Sequence, residues 1–146
     1  MPQIPADVTV SVHHVRVGYV DTDQGCVVHH GTYFRYLEHA RVELLRERGV
    51  DYKHFERDNQ LGLPVVDANI RYHQSARFDD LLEIKTWIAV ANRAKVRFDS
   101  LIFREGTLLT HAQISLACTR LPEGRICSVP TVILDLADAS LRGKRS

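Results

Sequence analysis

Hydrophobic residues recur along the chain with two different periods, and the change from one to the other divides it. Val8, Val10 and Val12 alternate with polar residues, and Val15 and Val17 resume the alternation out of step. This predicts a first strand with a bulge at His13–His14. From Thr32 the period lengthens. Tyr33, Tyr36, Leu37, Ala40, Leu44 and Leu45 share one face of a helix over residues 32–48, and Arg35, Glu38, Arg41, Glu43, Arg46 and Glu47 fill much of the other. Gly49 follows as a C-terminal stop. Residues 50–62 are mixed and fit either a short second helix or a loop. After Pro64 the pattern becomes that of strands: residues 65–73, 81–91, 94–104, 107–120 and a short one at 125–128. Turn signals at Asn92–Arg93, Glu105–Gly106 and Pro122–Glu123–Gly124 separate most of them. A short helical turn is expected after Pro130. Residues 1–7 read as a loose arm and 141–146 as a basic tail.

The fold class predicted is α+β: one long central helix wrapped by a curled antiparallel sheet of about five or six strands. One helix cannot cover both faces of such a sheet, so a homodimer or homotetramer is expected. The 146 residues suit a single domain, 1–146, and 45% hydrophobic with 25% charged residues is an ordinary soluble balance. A net charge of +1 argues against a general electrostatic grip on nucleic acid. The three cysteines, Cys26, Cys118 and Cys127, form no C-x-x-C pair and no disulfide framework, which points to a reducing compartment. No signal-peptide pattern is evident and no apolar run is long enough to span a bilayer. A cytoplasmic protein is expected.

The candidate chemistry lies just ahead of the long helix, in Tyr19-Val-Asp21-Thr-Asp23-Gln-Gly25-Cys26-Val-Val-His29-His30-Gly31. A helix start offers unpaired N–H groups and the positive end of the macrodipole, which can hold an oxyanion while a nearby carboxylate attacks or activates water. An Asp in such a loop is more commonly a cap or turn residue, and both readings of Asp23 stand on pattern alone. Asp21 is assigned to loop structure. His29 and His30 with the two aspartates lack metal-ligand spacing, so no metal is expected. Cys26 is a candidate nucleophile, though a small buried hydrophobe is the commoner role. Tyr19 at a strand end is more often core than catalytic. Arg93, Lys95 and Arg97 form a basic stretch at a hairpin, either a solvated edge or a phosphate clamp.

The same run, Y-V-D-T-D-Q-G-C-V-V-H-H-G-T-Y-F-R-Y-L-E-H-A-R, resembles the signature of hotdog-fold acyl-CoA thioesterases. It is most similar to the 4-hydroxybenzoyl-CoA thioesterase group and its relatives from Tol-Pal gene clusters. The similarity continues more weakly through I-R-Y-H-Q-S-A-R-F-D-D-L-L-E-I. The resemblance implies thioester hydrolysis with Asp23 as catalytic carboxylate and Tyr19 and His30 beside it. It implies that the backbone N–H of His30 polarises the thioester carbonyl and that Arg93 and Lys95 bind the phosphates of coenzyme A. No separate cofactor is implied, since coenzyme A arrives as part of the substrate; acyl-carrier protein is the other carrier open. Cys26 stands where the family commonly has a small residue, usually Gly, and Thr32 where Asn is frequent. The alternative to catalysis is a non-enzymatic acyl-CoA or acyl-carrier-protein binding module.

Overall fold

The computed structural model describes residues 2–142. Residues 143–146 of the expected basic tail lie outside the described residues. The long helix α1 (Thr32–Glu47) starts and stops where the sequence pattern requires. Its six predicted apolar positions, from Tyr33 to Leu45, are all buried. Burying a large apolar side chain is worth roughly 1.5–3 kcal/mol, so this face alone can dock the helix. Gly49, at φ +93°, takes the left-handed conformation that ends it. A second helix, α2 (Tyr52–Asn59), follows; the Asp51 side chain caps it by accepting from Lys53 N–H at 3.1 Å.

Five strands form one antiparallel sheet in the order β1-β4-β5-β6-β3. They are β1 (Ser11–Arg16), β3 (Val65–Tyr72), β4 (Leu81–Ala91), β5 (Val96–Arg104) and β6 (Thr107–Leu116). Helix α1 lies against β1 and β4. Leu82, Ile84, Ile88, Phe98, Ile102 and Ile114 join its apolar face in the main core. The sheet is open, with β1 and β3 as its edges. A second, three-stranded sheet orders β2 (Leu61–Gly62), β7 (Cys118–Arg120) and β8 (Arg125–Cys127) as β2-β7-β8. Two short helices, α3 (Thr131–Leu134) and α4 (Ala139–Arg142), complete the described chain.

Three expectations change. There is no bulge at His13–His14: β1 pairs with β4 in unbroken register from Ser11↔Thr86 to Arg16↔Leu81. The valines fall out of step because they serve different faces. Val15 and Val17 belong to the main core, whereas Val8 packs with Ile4 on the opposite side, against Trp87, Leu101 and Leu108. The segment expected as a loose arm is therefore attached at Ile4. The strand expected over residues 107–120 breaks at Ala117, whose N–H donates to the Pro64 carbonyl at 3.1 Å as the chain crosses from one sheet to the other.

Candidate active site

The loop between β1 and α1 is built around Asp21. Val17 exchanges backbone hydrogen bonds with residues 79 and 80, which ties the end of β1 to the start of β4. A single 3-10 turn, Tyr19–Asp21, then brings the Asp21 carboxylate inward, where it is 6% exposed. It accepts from Gly18 N–H at 3.0 Å and Tyr36 O–H at 2.9 Å, and from the Arg35 guanidinium. Burial, reinforced by the Asp21 carboxylate, pushes the Tyr36 hydroxyl far above the usual phenol range, so it stays a donor. Asp21 is thus the pin that holds the loop to the first turn of α1.

Asp23 behaves oppositely. It is exposed, and it heads a tight turn closed by Asp23 N–H to Val27 O (2.9 Å) and Cys26 N–H to Asp23 O (3.0 Å). Its Oδ1 accepts from Gly25 N–H at 2.8 Å and Val27 N–H at 3.4 Å. Among the described residues nothing donates to its Oδ2. A Cβ on Gly25 would stand 3.3 Å from that Oδ1, a tight contact that the Asp23 carboxylate would have to shift to relieve. Cys26 sits in the left-handed region at φ +61° with its side chain exposed, a conformation natural to glycine. The turn is fastened to the β3–β4 connection by Val28 N–H to Ala76 O and Phe78 N–H to Cys26 O.

The helix start lies beside this turn in the chain. His29 N–H is used by the Asp21 carbonyl at 3.1 Å, and Thr32, Tyr33 and Phe34 N–H groups donate to the carbonyls of residues 29–31. Among the described residues, the N–H groups of His30 and Gly31 have no partner, no side chain caps the helix, and a Cβ placed on Gly31 would meet open space. The His30 ring stacks on Tyr72 with centroids 4.4 Å apart, and Tyr72 O–H donates to the His30 carbonyl at 3.2 Å. Tyr33 meets Tyr72 edge-on and accepts from Ala76 N–H at 3.0 Å.

Asp23, His30 and Tyr19 are thus brought into one loop, though no hydrogen bond joins their side chains. Tyr19 is 72% exposed and rests edge-on against Phe78. Arg93 and Lys95 are elsewhere. They are exposed on the β4–β5 turn, where Asn92 Oδ1 accepts from the N–H groups of Ala94 and Lys95. The loop of Asp23 lies at the other end of β4, whose eleven residues span roughly 35 Å at about 3.3 Å each. A single chain does not unite the two. Residues not singled out in the sequence are Arg35 and Tyr36, which hold Asp21, and Tyr72, which holds His30. No cluster of three or more His, Cys, Asp or Glu suited to a metal ion exists among the described residues.

A long buried helix packed on an open antiparallel sheet is the fold shared by hotdog thioesterases. The thioesterase-like superfamily model matches residues 15–136, and the chain belongs to that family of enzymes. It is 33% identical over 116 residues to the acyl-CoA thioesterase YbgC of Haemophilus influenzae, covering 80% of this chain and 85% of that protein. It is 36% identical over 109 residues to the acyl-CoA thioester hydrolase YbgC of Escherichia coli O6:H1, covering 71% and 78%. Among solved structures it resembles the DHNA-CoA thioesterase of Staphylococcus aureus, with a TM-score of 0.78, 27% identity and coverage of 82% and 80%.

Proposed function

We propose that this enzyme hydrolyses an acyl-CoA thioester to the free acid and coenzyme A, with Asp23 as nucleophile or general base. The observation that carries the reading is the Asp23 carboxylate: Oδ1 is oriented by the Gly25 and Val27 N–H groups, and Oδ2 is left open. The thioester carbonyl oxygen sits at the His30 and Gly31 N–H groups, which bear the positive end of the α1 dipole and stabilise the charge that develops there. Asp23 then either takes a proton from water as the water oxygen attacks, or attacks the carbonyl carbon itself to give a mixed anhydride that water cleaves. In both routes the C–S bond breaks and the thiolate of coenzyme A leaves, so no metal is needed. His30, stacked on Tyr72, and Tyr19, on the rim of the same loop, line the approach.

The nucleotide end of the substrate is held by Arg93 and Lys95 of a second subunit, which removes the separation along β4. The open edge of β3, with Val65, Val66 and Tyr72 exposed, supports a homodimer formed by edge pairing. The three cysteines are free thiols, which supports a reducing, cytoplasmic setting. No helix among the described residues is long and apolar enough to cross a membrane. Turnover of a panel of short, long and aromatic acyl-CoAs by purified protein tests the activity and gives the acyl preference. A protein that binds these thioesters without cleaving any of them is a binding module and overturns the proposal. Label found in the Asp23 carboxylate after a single turnover in heavy-oxygen water establishes the anhydride route, because general-base catalysis places the label only in the product acid.

A further inference from the structure

Cys118 and Cys127 face each other across the antiparallel pair β7–β8 in direct register, and their sulfur atoms lie 3.4 Å apart. Directly opposed residues of such a pair have Cα atoms about 4.5–5.5 Å apart, inside the roughly 4.4–6.8 Å that a disulfide spans. The backbone therefore already has the spacing a bridge needs. Cys118 is fully buried and Cys127 half-buried, so Cys127 is the more accessible of the two. Burial, with the adjacent Cys127 thiol, pushes the Cys118 thiol up to about 12. Cys127 is consequently the thiol that reacts first. Cys26, the third cysteine, is exposed on the turn at the other end of β4.

We infer that Cys118 and Cys127 form an oxidative modification site, a cross-strand dithiol that a small disulfide such as oxidised glutathione closes to an intramolecular disulfide in the folded protein. The Cys127 thiolate attacks one sulfur of the oxidant, forming a mixed disulfide and expelling one glutathione thiolate. Cys118 loses its proton, attacks the Cys127 sulfur and expels the second. The protein gives up two electrons and two protons, and the oxidant becomes two reduced thiols. The bridge staples β8 to β7. Two residues beyond Cys127, the N–H of Val129 donates to the Arg93 carbonyl at 2.9 Å, so the stapled strand leads directly into the segment that fixes the β4–β5 turn.

The test is to expose folded protein to oxidised glutathione, alkylate the remaining thiols and digest with trypsin. Cleavage after Arg120 and Arg125 separates residues 105–120 from 126–142, so the two peptides stay together only through a Cys118–Cys127 bond. The expected result is a linked pair that dissolves on reduction, with Cys26 in neither peptide. Amide exchange at Val129 should be slower in the oxidised protein than in the reduced. Cys127→Ser should leave Cys118 unmodified in the folded state. The inference is overturned if both cysteines alkylate, if Cys127 stops at the glutathione adduct, or if the link forms only in denaturant. Modification of Cys118 in folded Cys127→Ser, or unchanged exchange at Val129, overturns it equally.

Discussion

Two aspartates two residues apart in the pre-helix loop differ in how their carboxylates are hydrogen-bonded. Asp21 has its carboxylate filled by Gly18, Arg35 and Tyr36. Asp23 has one oxygen filled by backbone donors and one open. Asp23→Asn keeps the shape and removes the charge that a nucleophile or base needs in the transition state. We expect kcat to fall at least about a hundredfold with KM little changed, measured by steady-state hydrolysis of a good acyl-CoA. A near wild-type kcat for this variant would remove the carboxylate from the mechanism. Asp21→Asn should do the reverse. Its amide must point one N–H at a group that is itself a donor, so urea unfolding should show a loss of about 1–3 kcal/mol, while turnover per folded molecule changes far less. At this scale the sequence was legible where a residue's environment is local. Asp23 sits in a turn made by its immediate neighbours, whereas two of the donors to Asp21 come from the helix. Tyr72 was not legible, because its contact with His30 crosses 42 positions. Neither were Arg35 and Tyr36, whose partner lies 14 and 15 positions back and whose helical spacing announces only surface and core.

Among the elements, α1 was the most legible, since a repeat of buried positions over sixteen residues leaves little choice of structure or orientation. Strand β4 was equally clear, bounded by polar residues at one end and an Asn-led turn at the other. Failures came where one apolar run serves two surfaces. The valines of residues 8–17 are shared between opposite faces of the sheet, and residues 107–120 are shared between two sheets; local alternation records neither division. Strand β3 is an edge with Val65 and Val66 about half exposed, at 47% and 59%. If this edge pairs with a second copy, Val66→Lys should shift the protein toward monomer at micromolar concentration in light scattering. Activity should fall with the dimer fraction. An unchanged mass for wild type and variant alike, at the monomer value, would exclude edge pairing.

For the molecule as a whole, the separation of Arg93 and Lys95 from Asp23 makes a kinetic prediction. A clamp on the nucleotide, remote from the broken bond, contributes to binding more than to chemistry. Arg93→Ala with Lys95→Ala should therefore raise KM for acyl-CoA with little change in kcat, and should leave hydrolysis of a truncated pantetheine thioester unaltered. Equal losses on both substrates would place the two residues outside the substrate's path. A different feature concerns how the chain is made. Thr9, just ahead of β1, hydrogen-bonds through both its N–H and its hydroxyl to the Asp138 carboxylate, and Arg48 bridges the Thr9 and Leu136 carbonyls. Strand β1 waits for β4, and β3 for β6. On a ribosome, which releases residues from the N-terminus onward, the first strand emerges long before its partner, and Thr9 before its carboxylate. The nascent chain must keep its apolar helix face and its edge strands out of wrong pairings until nearly all of these residues have been synthesised. A ribosome stalled before Asp138 would hold a chain without the Thr9 latch.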